Sequence, residues 1–71
     1  MIIESGQLYK HYKGKLYRIV ILCKHSETGE ELVVYQRQED GKAFARPRVI
    51  FEDNVVVDGN TIPHFEFISN N

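Results

Sequence analysis

The sequence predicts a small all-β protein: an SH3-like, partly open barrel of five to six short antiparallel strands. Three observations carry this. Short runs of β-branched and aromatic residues alternate with turn-forming Gly, Pro, Asp and Asn. No stretch of useful length shows a helical period. A chain of 71 residues also buries only about 60% of its unfolded surface, enough for one core, expected over residues 6–68 of a single domain. An OB-like barrel is the runner-up, but it usually needs more residues and a helix between its third and fourth strands.

The first strand is predicted at 7–12 and closes at Lys13-Gly14. The second, 15–25, is apolar at Tyr17, Ile19, Ile21 and Cys23 and also at Leu16, Val20 and Leu22. Apolar residues on both faces predict a strand that bends between two layers. The polar loop 26–30 holds Gly29 where a positive φ is needed, and strand 32–37 ends at the turn 39–42. A short strand, 43–46, stops at Pro47, and 47–52 suits a single helical or 3₁₀ turn, since proline is favoured at the first helical position. Asp58-Gly59 between 55–57 and 61–67 is a strong hairpin signal. Pro63 places that last strand at an edge or bulge, Phe65 and Phe67 share its inward face, and residues 69–71 are expected to fray.

Composition narrows the function classes. The apolar fraction is 42%, the charged fraction 27% and the net charge −1, which suits a soluble globular chain and not a disordered or strongly basic one. Cys23 is the only cysteine, so a disulfide scaffold is not expected. The longest aliphatic run, 19–23, is far below the roughly 20 residues of a membrane span, and the first residues lack a leader's basic and apolar regions. A cytoplasmic protein without a membrane partner is the expectation. Charge is uneven: residues 9–24 carry five bases and no acid, and residues 49–71 carry four acids and no base.

His11-Tyr12-Lys13-Gly14 with Tyr17, then 25–30 (HSETGE) leading into Val33-Val34-Tyr35, resembles a family of small bacterial proteins, domain of unknown function 1653. The resemblance continues through Phe44-Ala45-Arg46-Pro47, Phe51, Val55, Asp58-Gly59 and Pro63-His64-Phe65. It implies an SH3-type barrel and no activity. The chain departs from the family pattern twice: Phe44 stands where a tryptophan is usual, and His64 follows the late proline where an arginine is usual. Those changes would alter the ligand preference of an aromatic–arginine site.

Several residues could carry chemistry. His11, His25 and Glu27 are the one constellation suggestive of a metal, yet their spacing matches no closed structural site. The competing reading makes them polar groups bonded to hairpin backbone. His25-Ser26-Glu27 is too contiguous for a catalytic trio, because strand neighbours alternate faces; Ser26 and Thr28 read as loop residues. Arg46 is held extended by Pro47 and shares a face with Phe44, presenting a fork suited to carboxylate or phosphate. Its structural alternative is an ion pair with Glu27 or another loop acid. Tyr12 and Tyr35 beside Phe44 would form an aromatic groove, whereas Tyr17 reads as core.

These features predict a non-enzymatic binding module without a cofactor or bound metal. Its surface would join His11, Tyr12, Lys13, His25, Glu27, Thr28, Tyr35, Phe44 and Arg46, and its partner would be a protein segment or small anionic ligand. A single-stranded nucleic-acid binder using the basic run 10–24 is the alternative, and a small metal-dependent or hydrolytic enzyme is third.

Overall fold

A computed structural model describes residues 2–70. Seven strands and one helical turn follow in order: β1 (Leu8–His11), β2 (Leu16–Lys24), β3 (Glu31–Arg37), β4 (Ala43–Pro47), α1 (Arg48–Phe51), β5 (Asn54–Val57), β6 (Asn60–Pro63) and β7 (Phe65–Ser69). Five strands form an antiparallel sheet in the order β4-β3-β2-β1-β7, and β5 pairs with β6 in a separate hairpin. The fold is small and all-β, and the sheet does not close into a barrel. Among the described residues, no helix is long and apolar enough to cross a membrane.

The predicted strand 61–67 is in fact two strands in two sheets, which raises the count from six to seven. The break falls at His64, directly after Pro63. Proline donates no ladder bond, so pairing with β5 ends there and the chain bends to join β1. The helical turn is α rather than 3₁₀. Pro47 is its N-cap, with an extended ψ of 137°, and closes β4 instead of opening the helix. At the Asp58-Gly59 turn both residues have positive φ, 51° and 80°, as a two-residue type I′ hairpin requires.

The bend predicted in β2 is a bulge at Val20: Ile19 pairs with Tyr35, but Ile21 pairs with Val34. A one-residue slip exchanges the faces of a strand. Tyr17 and Ile19 therefore point into the core, whereas beyond the bulge Ile21 is exposed and Leu22 packs inward.

The core consists of Ile3, Tyr9, Tyr17, Ile19, Val33, Tyr35, Phe51 and Phe65. Phe51 of α1 lies flat on Phe65 of β7, with centroids 4.3 Å apart. The buried phenol of Tyr9 donates to Gln7 Oε1 at 3.1 Å. Gln7, the one buried polar side chain among the described residues, also accepts from Glu4 N–H and donates to the Ile2 carbonyl and Asn70 Oδ1. The fraying expected at 69–71 does not hold at Ser69, which pairs with Leu8 within β7. Asn71 lies outside the described residues.

Candidate functional site

The sheet curls enough for its two edge strands to approach, and side chains bridge the seam. Arg46 comes from edge strand β4, and its guanidinium lies over the ring of Phe65 in edge strand β7, 5.4 Å from the centroid. His11 closes β1 and pairs with Phe65 in register. His64 occupies the bend before β7, fixed by its own N–H to the Asp53 carbonyl (3.1 Å) and by Tyr12 N–H to its carbonyl (2.9 Å). Backbone pairing thus delivers both imidazoles to one corner, and sheet curvature brings the guanidinium to them.

At that corner His64 Nε2 lies 3.1 Å from Arg46 Nη1 and 3.1 Å from His11 Nε2. The protons can be assigned. Lys13 N–H donates to His11 Nδ1 at 3.1 Å, so neutral His11 carries its proton on Nε2 and donates to His64. Guanidinium has no acceptor, so Arg46 also donates. Both bonds require an unprotonated His64 Nε2 and place the His64 proton on Nδ1. Burial holds both histidines below their ordinary pKa; His64 and Arg46 push His11 further down, and Arg46 does the same to His64, partly opposed by Asp53.

Aromatic rings surround the corner. Tyr12 stacks on His11 at 4.6 Å and meets the edge of His64 at 5.2 Å; Lys13 Nζ lies 5.8 Å from the Tyr12 ring. His64 lies flat on Phe65. Beside them is an open cleft of about 230 Å³ lined by Lys10, His11, Tyr12, Ile62, Pro63 and Glu66. A second cavity of about 220 Å³, lined by Ile3, Tyr9, Phe51, Glu52, Pro63 and Phe65, includes no basic side chain.

Of the residues singled out from sequence, His11, Tyr12, Lys13 and Arg46 meet here. Tyr35 is buried in the core rather than forming a groove wall. Phe44 stacks on Tyr35 at 5.8 Å, but the cation over it is Arg37, at 5.1 Å. Tyr12, Tyr35 and Phe44 therefore do not form the expected continuous groove. His25, Glu27 and Thr28 lie past the far end of β2, roughly 25 Å of strand from the His11 corner at about 3.3 Å per residue. His25 Nδ1 accepts from the Glu27 and Thr28 amides, and Thr28 Oγ1 accepts from Glu30 N–H, so this group builds its own loop. The suggested metal constellation is thereby separated, and among the described residues no three His, Cys, Asp or Glu gather as ligands.

Arg46 does not pair with Glu27. Among the described residues the ion pairs are Lys15–Glu39, Arg37–Asp40, Arg48–Glu31 and Arg48–Glu52. The basic run 10–24 is dispersed: Lys10 faces Glu66 across β1–β7, Lys24 faces Glu31 across β2–β3, and Arg18 bonds the Gly6 carbonyl. From sequence, His64 enters only as a departure from the family pattern that would alter ligand preference, and Phe65 only as an inward-facing residue; neither is among the expected site residues. The usable signal was that His64 follows Pro63, where a strand must break.

A family model described as "Protein of unknown function (DUF1653)" matches residues 7–67. The chain is also similar to a crystal structure of a DUF1653 protein from Bordetella bronchiseptica, with 27% sequence identity and a TM-score of 0.84 over 96% of this chain and 88% of that one. Comparison with curated proteins gives no match. With the family match covering residues 7–67, most of the chain, the protein belongs to the DUF1653 family of proteins of unknown function.

Proposed function

We propose that this chain is a binding module that takes an anionic group at the corner formed by Arg46, His11, His64 and Lys13, with Tyr12 as its aromatic wall. One observation carries the reading: Arg46 is half-buried yet pairs with no carboxylate among the described residues, and its charge rests on a neutral imidazole. A partly desolvated guanidinium without a counter-charge gains most from an anion that brings one. The ligand is a protein segment or a small molecule presenting that group. Among the described residues, the hydrogen-bond partners of the two imidazole rings are the Lys13 N–H, Arg46 and each other, an arrangement that supports binding of an anion.

The test is an amide NMR titration of the full chain with pooled small carboxylates and phosphates at constant ionic strength. Shifts centred on His11, Tyr12, Lys13, Arg46 and His64, lost in a folded Arg46→Gln variant, are expected. A spectrum that stays unchanged with every anion overturns the reading.

A further inference from the structure

The corner specifies its anion more closely, an inference that rests on the anion-binding reading above. A neutral imidazole nitrogen has one lone pair. Two N–H donors, Arg46 Nη1 and His11 Nε2, are aimed at the single lone pair of His64 Nε2, each from 3.1 Å. They share one acceptor, so neither is fully satisfied. An oxygen atom, with more than one lone pair, meets this demand better than the nitrogen does.

Charge then sets the number of negative charges. Glu66 lies opposite Lys10 across β1–β7 and lines the cleft with it, so these two offset each other. Asp53, whose carbonyl accepts the His64 N–H at 3.1 Å, brings an acid to the bend and opposes Arg46 and Lys13 there. The imidazoles are neutral, because the bonds they make leave no room for a second proton on His64. One positive charge remains, fitting a monoanion; a dianion would bring a second charge toward Asp53 and Glu66.

We infer that the group received here is a single carboxylate, which replaces His64 Nε2 as the acceptor for Arg46 Nη1–H and His11 Nε2–H. Its attached body lies in the cleft beside Tyr12, against Ile62 and Pro63. An aromatic or apolar carbon skeleton suits that wall. His64 acts as a stand-in acceptor that keeps the two donors aligned in the free protein.

Benzoate, phenyl phosphate and benzamide make the test, titrated into the ¹⁵N-labelled full chain at pH 7.5 while the Lys13 and His64 amides and the imidazole nitrogens are followed. Benzoate is expected to bind at least about tenfold more tightly than dianionic phenyl phosphate, and benzamide not to bind. His25→Ala, in the loop past the far end of β2, is expected to retain benzoate binding, whereas Arg46→Gln loses it. Equal or tighter binding of phenyl phosphate overturns the carboxylate inference and leaves the anion reading standing; binding of neither anion overturns both. Benzamide binding as well as benzoate also overturns it, since the ring alone would then suffice. A peptide with a free C-terminus and its amidated form with an internal glutamate separate the two peptide sources, and binding of either supports the inference.

Discussion

Arg46 and His64 stand 3.1 Å apart although they belong to opposite margins of the five-stranded sheet. No backbone ladder joins those margins; the guanidinium, two imidazoles and the Phe65 ring span the gap instead. Whatever changes the protonation of this contact acts on the seam of the fold as well as on the site.

The first prediction concerns pH. His11 and His64 have folded-state pKa values below the ordinary 6.5, chiefly through burial and secondarily through neighbouring cations. Between the folded and unfolded values the unfolded chain binds more protons, so stability rises with pH there. Their stabilising effect is complete above about pH 6.5, declines as pH falls through that value, and levels off below the folded pKa. Urea unfolding at steps from about pH 8 to about pH 5.5 should show the midpoint falling over this window. His64→Gln should flatten that fall; an equal slope in the variant would place its origin elsewhere.

The core offers a sharper test. Phe51 is 2% exposed and stacks on Phe65, which in turn supports Arg46 and His64. Phe51→Ala should cost about 3–5 kcal/mol. That is about half the stability of a domain this small, roughly 7 kcal/mol at about 0.1 kcal/mol per residue. Circular dichroism should find it folded at room temperature but with a strongly lowered thermal midpoint. Phe51→Leu, which retains more volume, should fold with a reduced urea midpoint.

The β5–β6 turn isolates a backbone effect. Gly59 has φ of 80°, and a Cβ there would meet nothing within 4 Å. Gly59→Ala should therefore cost about 1 kcal/mol through left-handed strain alone. Asp58→Gly, at a φ of 51°, should be neutral or slightly stabilising. Urea midpoints with unchanged slopes would check both.

These elements mark how far the sequence could be read. The hairpins and the inward pair Phe65 and Phe67 follow from local chemistry, period two and Asp-Gly, so they were legible. Apolar residues on both faces of 15–25 announced a bend, and the bulge at Val20 is that bend. The division of 61–67 at His64 was not legible, because β-propensity runs through Ile62, Phe65 and Phe67 and the break depends on which neighbour each half pairs with. The site was half legible for the same reason. Arg46, His11, Tyr12 and Lys13 could be singled out by residue type, but His64 is 53 positions from His11 and reaches it only through the β1–β7 pairing. His25 was misplaced because proximity along a loop says nothing about which end of a nine-residue strand it occupies.

His25 provides a direct check of that separation. Its Nδ1 accepts two loop amides, from Glu27 and Thr28, in an exposed hairpin. His25→Ala should cost about 0.5–1.5 kcal/mol. Its amide shift changes should be confined to roughly residues 24–31. Any movement of the Lys13 or His64 amides would show that the two ends communicate.

The last prediction concerns the basic run 10–24. Nucleic-acid affinity of the electrostatic kind needs cations that are free to neutralise several phosphates together, and it falls steeply as salt rises. Here Lys15 pairs with Glu39, Lys10 and Lys24 each face a glutamate across the sheet, and Arg18 is turned onto the Gly6 carbonyl and Gln38. The four acids after residue 48 add a repelling field. Titration of the full chain with pooled single-stranded RNA and DNA at low salt should leave the amides of 15–24, the part of the run outside the Arg46 corner, unmoved. Shifts clustered there that fade with added salt would instead show the lysines released from these partners, and would make the hairpin, rather than the Arg46 corner, the working surface.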